Sequence, residues 1–197
     1  MSTGAAKERN PTAEDVLIAC VDVDYHDTCA VAAALWFRGW AADSVERQAV
    51  TCFPQVAEYE PGKFYRRELP CLLGVLDLGP RAEVVIVDGY VWLGDGMAGL
   101  GAHLHAAIGG VVVGVAKTRF AGATNVVSTC RGSSRSPLFV SAIGMSAEEA
   151  AAKVAAMHGS YRVPTLLKQV DSLARSACQD ADSGCGKRFG GNEEAQE

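Results

Sequence analysis

The sequence predicts an α/β (or α+β) domain built on a mixed central sheet with flanking helices, and three observations carry this. Two short continuous apolar runs, EVVIVD at 83–88 and VVVGVA at 111–116, have the length and composition of strands buried on both faces of a sheet. LIACVDVDY, from Leu17 to Tyr25, alternates carboxylates on one face with Val21 and Val23 on the other. Elsewhere the apolar period changes to that of a helix: Leu69, Leu72, Leu73 and Leu76 fall at i, i+3, i+4 and i+7.

In order, residues 1–14 lack periodicity and are expected to form a flexible N-terminus, before a folded domain at 15–175. Val16–Tyr25 opens that domain as a strand. Ala30–Trp40 and Val45–Cys52 are two more, joined by a short turn through Ala41–Ser44, and the three predict an antiparallel meander. The leucine helix follows Pro61 and Gly62; Pro70 either kinks it or sits in a first turn that starts late, and Gly79-Pro80 ends it. The strand Glu83–Asp88 leads into a glycine-rich stretch, Gly94–Gly101, and a short helix through His103 and Ile108. Beyond the strand Val111–Ala116, Asn125–Cys130 and Leu138–Ile143 are expected to pair as a hairpin around the SSRSP turn. Ser146 and Glu149 form a capping box for a helix running to about His158, and Thr165–Arg175 is the last helix. From 176 to 197 the chain is rich in Gly, Asp, Glu, Gln and Ser and reads as a disordered acidic tail.

Composition excludes several classes. With 197 residues, 49% hydrophobic and 21% charged, and a mean hydropathy of +0.09, the chain has material for one sizeable core. A net charge of -5 and a pI near 5.4 argue against coating nucleic acid or membranes by bulk charge, and most of the acidity lies in the tail. No apolar run approaches the roughly 18 residues of a membrane span, and the small, polar N-terminus lacks the apolar stretch of a signal peptide, so a cytoplasmic protein is expected. The seven cysteines are odd in number and none sit at the short spacing of a structural zinc site. Reduced, packed thiols are expected, with Cys178 and Cys185 the one pair open to oxidation.

Four acids stand where surface acids do not belong: Asp22 between Val21 and Val23, Asp88 at the end of the VVIV run, Glu68 on the edge of the leucine helix, and Glu148 in the first turn of the later one. An unpaired buried carboxylate is expensive, and several remain ionised together only with a cation between them. Carboxylates from adjacent strands and flanking helices make the oxygen-only cage that Mg²⁺ prefers, and such a cage supports phosphodiester hydrolysis. For Glu148 a helix-cap role is the alternative. Asp24 shares a face with Asp22, so spacing alone does not choose between them.

Six segments in order, LIACVDVDY, YEPGKFYRRELP, VIVDG, GVAK, SPLFVSAIG and SYRVPT, resemble the motifs of the endonuclease V family over Leu17 to Arg175. That family nicks nucleic acid near deaminated purines and has an RNase H-like fold. The resemblance implies that Asp22 (not Asp24), Glu68 and Asp88 bind Mg²⁺, with Mn²⁺ as a substitute. Glu148 aligns with an outer ligand, and Lys117 orients the scissile phosphate or water. Tyr59 and Pro61 would wedge beside the lesion, and Gly62, Gly89 and the position of Val91 would form the base pocket. The activity implied is a metal-dependent endonuclease cleaving near inosine in DNA or RNA, with a 3′-hydroxyl and a 5′-phosphate as products, acting as a monomer in repair or RNA processing. The alternatives are a nuclease of the same fold with altered base specificity, or a silent nucleic-acid-binding domain.

The loop after VIVDG departs from the family. Where the family continues His-Gly and then His-Pro-Arg, this chain reads Tyr90, Val91, Trp92, Leu93, Gly94, and Val91 replaces a pocket glycine. A narrower pocket and weaker hypoxanthine discrimination are therefore expected. His103 matches a family position without an assigned chemistry and is read as a packed histidine. Lys63, Arg66 and Arg67, then Lys117 and Arg119, then Arg131, Arg135 and Arg162, are expected to line a local basic path for nucleic acid.

Overall fold

The computed structural model describes residues 16–26, 29–54, 65–177 and the backbone of 189–190. The expectations for 1–14, for Tyr59, Pro61, Gly62 and Lys63, for Cys178 and Cys185, and for most of the acidic tail lie outside the described residues.

The strands are β1 (Leu17–Tyr25), β2 (Ala30–Arg38), β3 (Arg47–Phe53), β4 (Val84–Asp88), β5 (Trp92–Gly94), β6 (Met97–Ala98), β7 (Val111–Ala116), β8 (Val126–Thr129), β9 (Leu138–Ile143) and β10 (Phe189–Gly190). The helices are α1 (Tyr65–Leu76), α2 (Leu100–Ile108), α3 (Ala147–Ala156) and α4 (Thr165–Ser176). Eight strands form one mixed sheet in the order β10-β3-β2-β1-β4-β7-β9-β8. β1, β2 and β3 are the expected antiparallel meander. β1, β4 and β7 run parallel, so α1 precedes the crossover to β4 and α2 makes the one to β7. β9 returns antiparallel beside β7 and pairs with β8. In the tail, β10 adds a two-residue antiparallel pairing to Ala49 and Gln48 of β3, and α4 continues through Ser176.

The apolar runs become the central strands because both faces are covered. Side chains alternate across β1: Leu17, Ala19 and Val21 join Cys71, Leu72 and Val75 of α1 and Leu104 of α2 on one face. Ile18 and Cys20 join Leu166, Val170 and Ala174 of α4 and Ala150 and Val154 of α3 on the other. Burial of side chains such as Ile18, Leu72 and Leu166 contributes about 1.5–3 kcal/mol each. Pro70 lies inside α1, which gives up one backbone hydrogen bond there. Ser146 caps α3 as expected, its Oγ accepting from the Glu149 N–H at 3.1 Å. The hairpin β5–β6 was concealed in the glycine-rich stretch. Among the described residues no helix is long and apolar enough to cross a membrane, and Cys20, Cys71 and Cys130 are free thiols.

Candidate active site

Parallel pairing brings the two aspartates together. Val21 of β1 stands beside Val87 of β4, so Asp22 and Asp88, each one residue further, emerge side by side at the same end of the sheet. Both project to the face of Ile18, Val84 and Ile86, which α4 covers. β4 in turn pairs Asp88 with Val115 of β7, and Lys117 follows two residues later. Its Nζ lies 2.9 Å from Asp88 Oδ2 and 3.6 Å from Oδ1 of Asp171 on α4. Asp171 is held from its own helix by Arg175 at 2.9 Å. Asp22, Asp88, Lys117 and Asp171 line one small recess, floored by side chains such as Ile86, Leu138 and Val170. At these half-exposed positions the ion pairs contribute at most about 1 kcal/mol each; they set placement more than stability.

Glu68, on α1 over the other face of the sheet, is close enough to feel the charges of Asp22 and Asp88. It is 6% exposed, and its Oε2 has no hydrogen-bond partner. Burial, then the charges of Asp22 and Asp88, push its carboxyl up to about 8. Asp22 is pushed up to about 6 by burial and by the charges of Asp88 and Asp171, against a backbone amide and Lys117. Burial works to lower Lys117, but its hydrogen bond to Asp88 and the charges of Asp88, Asp171 and Asp22 outweigh it, so the ammonium stays above its ordinary value. Among the described residues no three acids already form a closed metal-binding cluster. The charges of Asp22, Glu68 and Asp88 nevertheless act on one another, and the uncompensated Glu68 oxygen is a ligand atom without a partner. An oxygen-only set of this kind fits a hard divalent cation.

Several sequence expectations are corrected. Glu148 does not join the acids: it is exposed in the first turn of α3, after β9 has run from its pairing beside Ala116 to the opposite end of the sheet. The acid that does join is Asp171, which sequence reasoning missed. Asp24 is paired with His26 at 3.1 Å. Asp88 is a strand-end side chain 43% exposed, not a buried one. Arg131 is no part of a basic surface; it is 5% exposed and donates to the carbonyls of Ala155, Gly159 and Tyr161.

The rebuilt loop is also different from expectation. Val91 is fully buried, its N–H donates to Ser141 Oγ at 3.0 Å, and a Cβ on Gly101 would lie only 2.8 Å from its Cγ2. Its side chain is packed in the interior against α2. Gly89, by contrast, has φ +133° with open space where a side chain would be, and turns the chain directly after Asp88. Tyr90 ties this loop to the one after β7: its hydroxyl donates to the Thr118 carbonyl at 2.7 Å and accepts from the Phe120 N–H at 3.1 Å. His103 is packed as read, stacked 3.6 Å from the Tyr65 ring, and burial lowers its pKa.

A mixed sheet of this order, with aspartates side by side at parallel strand ends and a lysine beside them, defines an α/β domain of the RNase H-like class. The family model described as Endonuclease V matches residues 3–139. The endonuclease V of Streptomyces coelicolor is 31% identical over 189 residues, covering 82% of this chain and 78% of the relative. The crystal structure of endonuclease V from Streptomyces avermitilis superposes with a TM-score of 0.72 at 27% identity, covering 87% of this chain and 85% of that one. A Ciona intestinalis endonuclease V, crystallised with a 23mer DNA containing an inosine followed by a ribo-adenosine, shares the fold at a TM-score of 0.70 and 17% identity, covering 85% and 87%. This chain belongs to the endonuclease V family and is a nuclease acting on phosphodiester bonds.

Proposed function

We propose that this protein is a divalent-metal-dependent endonuclease that hydrolyses a phosphodiester near a deaminated purine, inosine, in DNA or RNA, acting as a monomer in the cytoplasm in repair or RNA processing. The observation that carries the reading is Asp22 beside Asp88 with Lys117 Nζ on Asp88 Oδ2. The inosine-containing DNA bound by the Ciona relative supports the choice of base.

Asp22, Glu68 and Asp88 would hold Mg²⁺ or Mn²⁺, and Asp171 takes the place that Glu148 was expected to fill. When bound, the cation lowers the pKa of the attacking water and offsets charge on the phosphoryl oxygens. Lys117, kept protonated by its acidic neighbours, presents a fixed positive charge to the scissile phosphate. Asp88 and Asp171 hold that ammonium from two sides, so its position is set before substrate arrives. Tyr59 with Pro61 would fill the gap left by the displaced base, and Gly62 and Gly89 let backbone amides approach it.

The test is incubation with labelled inosine-containing and unmodified strands, DNA and RNA, with Mg²⁺, Mn²⁺ or EDTA. Cleavage confined to inosine-containing strands and abolished by EDTA is expected. Equal cleavage of unmodified strands would remove the base assignment, and cleavage in EDTA would remove the metal.

A further inference from the structure

A cleft of about 450 Å³ opens beside the acids, between the turn at 133–134, the segment 160–163 and α4. Lys117 and Asp171 line both the cleft and the recess that holds Asp22 and Asp88. Anything that enters the cleft is therefore continuous with the point of hydrolysis. Its outer wall carries Tyr161, which at 75% exposure leaves an aromatic ring in water. Lys168 lies over one face of that ring, its Nζ 6.0 Å from the centroid, and Ser133 and Ser160 add hydroxyls.

The wall is fixed rather than loose. Arg131 donates to the carbonyls of Ala155 at 3.1 Å, Gly159 at 3.1 Å and Tyr161 at 2.9 Å, and also to that of Met157. Gly132, at φ +56°, brings the neighbouring turn so close that a Cβ there would lie 1.8 Å from the Ser160 carbonyl oxygen. Arg162 links this segment to the site by donating to the Lys117 carbonyl and, at 2.7 Å, to that of Pro137. Its guanidinium serves the protein's own carbonyls, which leaves Lys168 and Tyr161 as the groups turned outward.

A ligand suited to this wall has an anionic link near Lys117, a second anion one step further, and a flat ring beside it. That is the repeat of a nucleic-acid strand, and an aromatic platform with an adjacent cation is how single strands are held without sequence preference. We infer that the cleft receives the nucleotide next to the scissile phosphate on the same strand, its base stacked on Tyr161 and its phosphate paired with Lys168. This rests on the nuclease reading above. It gives the enzyme a hold on one flank of the cleavage point, separate from recognition of the altered base.

The test uses the full chain and three inosine-containing strands: one long on both sides of the cleavage point, one trimmed on its 3′ side and one trimmed on its 5′ side. Affinity is read by fluorescence anisotropy with Ca²⁺ in place of Mg²⁺, and circular dichroism checks the fold of each variant. Tyr161→Ala is expected to weaken the long strand and one trimmed strand about 5- to 150-fold and to leave the other trimmed strand unaffected. Tyr161→Phe should bind like the wild type. Lys168→Ala should reduce the salt slope of long-strand binding by about one. Wild-type binding of all three strands by Tyr161→Ala, or the same loss on all three, would overturn the assignment. Failure of the nuclease reading would be seen separately, as absence of cleavage by the wild type, while strand binding still reports on Tyr161.

Discussion

Lys117 Nζ stands 2.9 Å from Asp88 Oδ2, a contact that spans from the end of β7 to the end of β4, next to the carboxylate of Asp22. The lysine is therefore the cation that the acids hold in place, and its own chain is fastened by Arg162 on the Lys117 carbonyl. Replacing it with methionine keeps most of the stem and removes the charge. Lys117→Met should lower the rate of cleavage by about 10²–10³, the usual loss when one preorganised electrostatic group is removed, with strand affinity changed far less. Single-turnover kinetics beside binding curves make the comparison. A loss confined to affinity would make Lys117 a strand contact only.

The acids should separate into two groups. Asp22→Asn, Asp88→Asn and Asp171→Asn are expected to remove nearly all cleavage, whereas Asp24→Asn and Glu148→Gln should retain most of it. Asp24 is taken up by His26, and Glu148 lies in the solvent-exposed first turn of α3. Cleavage assays at saturating Mg²⁺ decide it, and a dead Glu148→Gln would restore the ligand role that its position denies.

Much of this was legible in the sequence because local patterns and tertiary context agree. The continuous apolar runs of β4 and β7 demand two covered faces, and the alternation in β1 sends Asp22 to the same side as Asp88 once those strands pair. Asp171 was hidden for the opposite reason. It sits on the rim of an apolar stripe formed by Leu166, Val170 and Ala174, where an acid is the ordinary polar border of an amphipathic helix. Its one signal is position: Leu167, four residues earlier, puts it on the turn of helix that lies over the strand ends. Glu148 misled because an acid in a first helical turn is favoured by the helix dipole whether or not a metal is near. The β5–β6 hairpin was signalled by Asp95-Gly96, with Gly96 at φ +72°, a turn pair submerged among other glycines.

Stability should depend on pH through the raised carboxyls. Glu68 at about 8 and Asp22 at about 6 lie above their ordinary values of 4.5 and 3.8, so the folded state binds more protons than the unfolded one across that interval. In this respect the metal-free protein should be most stable below about pH 4, where both carboxyls are protonated even in the unfolded chain, and lose that contribution, on the order of a few kcal/mol, as pH rises to about 8. Glu68→Gln should flatten the dependence and raise the melting temperature at pH 8. Thermal melts in EDTA across that range are the measurement; a metal-free melting temperature that rises with pH through the whole interval would contradict it.

Arg131 should prove to be a structural residue with a functional consequence. Arg131→Met removes a buried fork that serves carbonyls from Ala155 to Tyr161, leaving several without partners, and should cost about 3 kcal/mol. Arg131→Lys should not restore the loss, because an ammonium cannot reproduce the planar fork. Urea denaturation gives the stability. Long-strand affinity of the surviving folded fraction should fall along with that of Tyr161→Ala, since the same carbonyl contact fixes the Tyr161 backbone.

Val91 offers the sharpest contrast between a sequence position and a structural one. Aligned with a pocket glycine, it predicts a narrowed base site and a gain in inosine preference on reversion to glycine. The structure instead buries the side chain completely against Gly101 and spends its N–H on Ser141. Val91→Gly therefore removes a packed side chain worth about 1.5–3 kcal/mol and loosens the backbone of the loop as well. The expected outcome is a lower melting temperature with the ratio of inosine to adenosine cleavage unchanged. Ser141→Ala, which leaves the Val91 N–H buried without its acceptor, should show the same pattern at a cost of about 1–3 kcal/mol. Discrimination is better probed at Gly89, where space is open beside Asp88: Gly89→Ala forces a side chain into a positive-φ turn at the mouth of the site. Competition between inosine- and adenosine-containing strands should report a changed ratio for Gly89→Ala and an unchanged one for Val91→Gly; the reverse result would return Val91 to the base pocket.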